Sequence, residues 1–257
     1  MNFLVTAGGT SERIDSVRRI TNSATGRLGS LAADALAELP GAQAVVYVCG
    51  KTALRPCSPK AQIVPVEDTA DLEKAVREIL GGKARPQIDG IVHTMAVSDY
   101  RVRSVTSAAL LADALLAAQS AGLPPTREAI IQSIEHSDGI ERDAKVSSDE
   151  KSLLLVLEGT PKIISLFHGL SPATLIVGCK LLDGVSRETL IDRAYELLHK
   201  NHCAYVLAND LQDIHGDQHT AYLVDTDRRC IRYEDKMSIA RGIAKTLCRD
   251  LEKRGTA

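Results

Sequence analysis

The chain has no tryptophan, two phenylalanines and only 3% aromatic residues. So few rings cannot build a base-stacking surface for single-stranded nucleic acid. They also leave the core to Leu, Ile, Val and Ala. Charge of one sign is missing too: 31 Lys and Arg face 33 Asp and Glu, for a formal net charge of −2. No global field draws in nucleic acid or an anionic membrane, so any recognition of anions must be local. No apolar run approaches the ~20 residues that a bilayer requires. The six cysteines (49, 57, 179, 203, 230 and 248) form no C-x-x-C pair, and strand-like residues begin almost at Met1 with no signal-like segment ahead of them. These absences together imply a reduced, cytoplasmic protein with free thiols.

Two familiar phosphate motifs are also absent. The chain contains neither G-x-G-x-x-G nor G-x-x-x-x-G-K-[ST] in strand-to-helix context. Its one literal Tyr-x-x-x-Lys, Tyr47 to Lys51, falls at the end of a strand-like run. A nicotinamide-dependent reductase therefore stands only as the alternative reading.

What is present is a regular alternation. The 257 residues, 44% hydrophobic and 25% charged, suit one α/β domain. Phe3–Thr6, Ala44–Val48, Gln62–Val66, Gly90–Thr94, Thr174–Val177 and Ala204–Leu207 are short apolar runs. Between them lie stretches of helical period, such as Leu28, Leu31, Ala32, Ala35, Leu36 and Leu39, which Pro40-Gly41 stops. Asp68 or Thr69 caps a helix that Gly81-Gly82 closes, and Thr160-Pro161 reads as another helix start. A helix spans 187–200, and a last one Met237–Leu251. Ala221–Val224 and Cys230–Tyr233 form a hairpin pattern. Strands that are apolar throughout predict a Rossmann-like, mostly parallel sheet with helices on both faces. One segment, 101–149, is too long for a connection. It carries two helix-like pieces, Ser107–Ala118 and Pro125–His136, and reads as an inserted flap or oligomer contact within a single domain of residues 1–257.

Ligands of such sheets bind beyond the carboxyl ends of the strands. Two features stand there. Gly8-Gly9-Thr10 follows the first strand, where amides can face a phosphate. Asn22-Ser23-Ala24-Thr25-Gly26 opens a helix, whose start offers free amides to an anion. Arg18 and Arg19 lie just upstream, where cations are out of place unless an anion is bound. Asp99 and Asn209-Asp210 also follow strands, though as lone residues they read as turns. Asp213, His215, Asp217 and His219 match no zinc spacing and read as a surface loop.

The segment T-A-G-G-T-S-E-R-I-D-S-V-R-R-I-T-N-S-A-T-G-R-L-G resembles the start of phosphopantothenate–cysteine ligases, in the stand-alone bacterial form. The resemblance continues in order through H-T-M-A-V-S-D-Y (93–100), A-K-V-S-S-D-E (144–150), T-P-K-I-I-S-L (160–166), I-V-G-C-K-L-L-D-G-V (176–185) and L-A-N-D-L (207–211). It implies a two-step ligase. CTP, or ATP in some relatives, reacts with the carboxylate of 4′-phosphopantothenate to give an acyl-nucleotide, which the amine of L-cysteine then opens. It further implies Mg2+, a homodimer, and no nucleic-acid or membrane partner. Carried over by position, Asn22 holds the acyl-nucleotide, Arg18 the phosphopantothenate end, and Lys145 the nucleotide phosphates. Gly8, Gly9, Thr10, His93, Asp99, Pro161, Lys162, Ile163, Ile164, Cys179 and Lys200 are implied at the nucleotide. Two positions depart from the pattern: Cys179 stands where Phe is usual, and Glu196 where a second basic residue often precedes the equivalent of Lys200.

Overall fold

The computed structural model describes residues 1–82, 87–120, 126–135, 140 and 151–255. In chain order it runs β1 (Asn2–Ala7), β2 (Ser11–Arg13), β3 (Arg19–Thr21), α1 (Arg27–Ala37), β4 (Ala44–Gly50), β5 (Ala61–Val66), α2 (Thr69–Gly81) and β6 (Gly90–His93). There follow β7 (Tyr100–Ser107), α3 (Ala108–Ser120), α4 (Arg127–Glu135), β8 (Leu153–Gly159) and α5 (Ile164–Leu170). The chain ends with β9 (Leu175–Leu182), α6 (Arg187–Lys200), β10 (Tyr205–His215), β11 (Gln218–Asp225), β12 (Cys230–Asp235) and α7 (Lys236–Gly255). These elements divide into two compact units. One holds Met1–Thr10, Asn22–Val97 and Lys162–Ala257; the other holds Ser11–Thr21 and Ser98–Pro161.

The first unit is an eight-stranded sheet in the order β12-β11-β10-β9-β6-β1-β4-β5. Six strands from β10 to β5 run parallel, and β11 and β12 extend the sheet as antiparallel strands. The expected sheet is thus present, with helices on both faces. Alternation along β1 shows how. Phe3, Val5 and Ala7 join α1 and α7 in one aliphatic core. Leu4 joins α2, α5 and α6 in the other. The sheet order doubles back at β1, whose neighbours β4 and β6 lead away in opposite directions, and this opens the crevice where such sheets take their ligands. β5 is one outer strand and contains Pro65.

The second unit is built on two short antiparallel pairs, β2–β3 and β7–β8. Val102 and Val105 form its small core with Ile14, Ile20, Ile140 and Leu153. The two helical pieces expected within 101–149 are α3 and α4. The flanking strand β7 (YRVRSVTS) did not stand out in the sequence, because it mixes charges among its β-branched residues; β8 (LLLVLEG) is an apolar run that the sequence reading missed.

Two helix starts differ from the sequence reading. α1 begins at Arg27, not at Asn22, and its N-cap is Gly26 at φ 74°, a left-handed conformation that glycine adopts freely. α5 begins at Ile164 without a side-chain cap. Thr160 is used elsewhere: its amide donates to Asp99 O (3.0 Å) and its hydroxyl to Ser98 O (2.5 Å), tying the end of β8 to the start of β7. The α2 cap is as expected, since Asp68 accepts from Asp71 N at 2.8 Å.

Candidate ligand cleft at the carboxyl edge of the sheet

A cleft of about 580 Å³ lies in the first unit, where the ends of β6, β9 and β10 meet the start of α1. Ser23 to Gly29 form one wall. The N-cap residue of α1, Gly26, has no side chain to cap it, and Thr25 Oγ1 accepts from the Arg27 amide at 3.3 Å; the helix start still turns the positive end of its dipole to the cleft. Arg27, Lys180 and Lys236 also line the cleft, and none of the described lining residues is Asp or Glu. Arg27 is partly engaged: its Nε lies 3.3 Å from Asp217 Oδ1 in an exposed pair. Lys236 Nζ donates to Gly216 O. Thr94, Met95, Ala96, Cys179 and Asn209 supply the strand ends. Such a surface suits an anion with some apolar area beside it.

The Gly8-Gly9-Thr10 turn stands behind this wall and is tightly held. The amide of Ala96 donates to Gly8 O (2.8 Å), and the Thr10 amide donates to Ala96 O (3.2 Å). A Cβ on Gly9 would lie 2.2 Å from Asn22 O, and one on Gly8 would lie 2.6 Å from Ala53 Cβ. The glycines therefore let the segment carrying Asn22 and the loop after β4 close onto β1. Asn22 is fixed in turn. Its backbone amide donates to Thr10 O (3.4 Å), and its side-chain amide to Val97 O (3.1 Å) and Ala96 O (3.5 Å). It is thus no helix cap; it clamps the strand ends of β1 and β6 together.

The remaining expected residues are distributed as follows. His93, at the end of β6, faces the α5 side of the sheet. It shares a 2.6 Å hydrogen bond with Thr6 Oγ1 and meets the Phe167 ring edge-on at 5.1 Å. Burial pushes its pKa down to about 4, so the ring is neutral. Ile163 is buried on that same side, and Ile164 packs toward Gly178. Lys162 precedes them, its carbonyl accepting from Ser165. Cys179 faces the cleft, and burial pushes its thiol up to about 12, which leaves it protonated and unreactive. Lys200 ends α6, the crossover helix that leads back to the start of β10, and so stands at the opposite edge of the sheet from the cleft.

Arg18, Asp99 and Pro161 belong to the second unit. Asp15 organises the β2–β3 turn there. Its fully buried carboxylate accepts from the amides of Val17 (2.8 Å) and Arg18 (2.7 Å) and from Arg18 Nε (2.9 Å), which orients the guanidinium. Asp99 is exposed. Lys145 lies outside the described residues.

Several cleft residues escaped the sequence reading. Arg27 and Lys180 carry no local signal beyond their charge. His219 was read as part of a surface loop; it is 3% exposed, on β11. The missed signal is the alternation His219, Ala221, Leu223, which sets all three on the face covered by α1 and α7. Asp210, taken as a turn residue, does serve one. It accepts from the amides of Gly184 (3.0 Å), Val185 (2.9 Å) and Gln212 (2.9 Å), and these bonds hold its carboxyl below the usual range.

A doubly wound sheet with its ligand cleft at the carboxyl edge, beside a helix start, defines a Rossmann-like α/β protein. Residues 1–113 match the family described as the DNA/pantothenate metabolism flavoprotein C-terminal domain. The crystal structure of the DNA/pantothenate metabolism flavoprotein from Streptococcus pneumoniae is 32% identical, with a TM-score of 0.77 over 96% of this chain and 98% of that one. The chain belongs to this family, as its motifs implied. The coenzyme A biosynthesis bifunctional protein CoaBC of Thermococcus kodakarensis is 31% identical over 224 residues, which are 87% of this chain and 45% of that protein. The chain thus spans about half the length, or less, of the curated relatives it matches. A Cab2 mutant in complex with phosphopantothenate-cysteine, at 15% identity and a TM-score of 0.66 over 100% of this chain and 89% of that one, shares the fold. Among the described residues no helix is long and apolar enough to cross a membrane.

Proposed function

We propose that the chain is a phosphopantothenate–cysteine ligase, which joins 4′-phosphopantothenate to L-cysteine at the expense of CTP or ATP in coenzyme A biosynthesis. One observation carries this reading: a cleft at the switch point of a family fold, lined by a helix start and three cations, with no Asp or Glu among its described lining residues. The name of the Thermococcus relative supports the pathway, and the ligand of the Cab2 structure supports the substrate class.

The chemistry is a two-step exchange. A carboxylate oxygen of 4′-phosphopantothenate attacks the α-phosphorus of the nucleotide, and pyrophosphate leaves with the electron pair of the broken P–O bond. The cysteine amine then attacks the acyl carbon, the nucleoside monophosphate leaves, and the amine loses a proton. Both steps gather negative groups, so the work of the protein is to supply oriented donors and positive charge. In this reading the α1 amides, Arg27, Lys180 and Lys236 take phosphate oxygens in the cleft. Asn22, held rigid by the strand ends, steadies the acyl-nucleotide and its attack by the amine. Arg18, oriented by Asp15, takes the phosphopantothenate end, and Lys145 the leaving pyrophosphate. The neutral thiol of Cys179 does not compete with the incoming amine. Among the described residues no cluster of three or more His, Cys, Asp or Glu could hold a metal. Mg2+ is accordingly assigned to the triphosphate that it accompanies, as part of the substrate.

A homodimer is part of the same proposal. Leu116 on α3 is 61% exposed, and Leu154, Leu155 and Leu157 on β8 are each more than a third exposed, all in the second unit. Light scattering behind a sizing column reads the mass directly, and a monomer at micromolar concentration would refute this part.

The central test is single-turnover release of pyrophosphate from CTP, then from ATP, with 4′-phosphopantothenate present and cysteine withheld. Release is expected with one of the two. Pyrophosphate that appears only after cysteine is added would contradict the acyl-nucleotide. Nucleotide binding with no 4′-phosphopantothenoylcysteine detectable by mass spectrometry would make the chain a binding protein instead. Asn22→Asp is expected to form the anhydride and fail to consume it, visible as a burst without turnover.

A further inference from the structure

His219 has an unusual position for a histidine. It is 3% exposed, it lines the cleft, and among the described residues neither ring nitrogen has a hydrogen-bond partner. A buried polar group left unpaired is costly, so such groups in native folds call for a reason. Cys179, Asn209 and His219 project from β9, β10 and β11 on the same face of the sheet, the one covered by α1 and α7. The charged groups around the cleft are Lys236 from α7, Arg27 from α1 with its partner Asp217 from the β10–β11 turn, and Lys180 from β9. The setting is therefore cationic, and both ring nitrogens are shielded from solvent in the unliganded fold. The ladder between β10 and β11 is broken between Asn209 and Ile214, so the wall beside the ring is held by fewer backbone bonds.

We propose that His219 is a ligand-contacting residue of this cleft, donating a hydrogen bond to a phosphate oxygen of the ligand bound at the α1 start, beside Lys236. This deepens the ligase reading and rests on it. The phosphate has two possible sources in that reaction, the nucleotide or 4′-phosphopantothenate. Without an anion, burial and the Lys236 charge hold the ring neutral, with a pKa of about 4. A bound phosphate faces the imidazole with negative charge and raises that value, so binding below neutral pH draws a proton from solution.

The test is calorimetric titration of the full chain with CTP and, separately, with 4′-phosphopantothenate, for wild type, His219→Leu and His219→Asn, in two buffers of different ionisation enthalpy at pH 6. Wild type is expected to take up protons with one ligand. His219→Leu is expected to bind that ligand at least tenfold more weakly and take up none, while His219→Asn keeps much of the affinity through its remaining donor. Thermal melting checks the fold: His219→Leu removes an unpaired buried polar group, so the free protein should melt at the same temperature or a few degrees higher. Unchanged affinity of His219→Leu for both ligands overturns the proposal. Wild type that binds 4′-phosphopantothenate but no nucleotide leaves His219 testable and refutes the nucleotide site. Wild type that binds neither refutes both.

Discussion

At the scale of single residues, the glycines after β1 show a weak motif that has a packing role besides the one its sequence suggests. Gly8-Gly9 stood out in the sequence as a place for phosphate amides. In the fold their missing side chains first of all admit other backbone, with Asn22 O only 2.2 Å from a Cβ at Gly9. Gly9→Ala must push the Asn22 segment away from the strand ends, so the substitution is expected to destabilise by about 2 kcal/mol or more and to abolish turnover. Gly81→Ala, at the end of α2 with no atom within 4 Å of the new methyl, is the contrast: it should leave turnover alone and stabilise by up to ~1 kcal/mol. Urea unfolding and the mass-spectrometric product assay read both. Asp15 is a similar case in the second unit. It drew no reading from the sequence, because its burial and its three bonds depend on a hairpin that the sequence does not announce. Asp15→Ala removes the carboxylate that orients the Arg18 guanidinium, and the apparent KM for 4′-phosphopantothenate is expected to rise about tenfold or more.

At the scale of elements, the sequence was most legible where one period ran uninterrupted. α6 matches its expected span, 187–200, and α2 has the cap that Asp68 implied, because in both the local signals and the tertiary packing agree. Loss of that cap in Asp68→Ala is expected to cost about 1 kcal/mol in chemical denaturation. The α5 start was misplaced because Thr160 has a better partner at the start of β7, a contact between residues more than sixty positions apart. The α1 start was placed too early for a related reason. Asn22 bonds across to Val97 O, and the turn that begins the helix is made by a left-handed Gly26 instead. β2 and β3 are three residues each, too short for any period to show. The cleft was half legible: the strand-end rule located it, and Cys179 was expected there. Its cations and His219 come together only through the sheet order.

At the scale of the whole molecule, the near-balance of charge hides a directional response to pH. His93 and His219 are buried with pKa values lowered to about 4, mainly by desolvation. Unfolding restores their ordinary values near 6.5, so between those limits the unfolded chain holds protons that the folded chain refuses. Stability is therefore complete above about pH 6.5 and declines as the pH falls toward 4. From pH 7 to pH 5 the loss is expected to be about 1–2 kcal/mol for each ring. Urea midpoints at the two pH values measure it, and a flat response would show that the two rings are not sealed as described. His219→Leu should remove about half of the slope.

The outer strand β5 carries its own safeguard. Pro65 has no amide hydrogen, so the rim of the sheet lacks a donor at the point where a foreign strand would need one to dock. Stacking of copies along that rim lacks one of its bonds, and replacing the exposed ring by valine is expected to make concentrated solutions of this protein sticky.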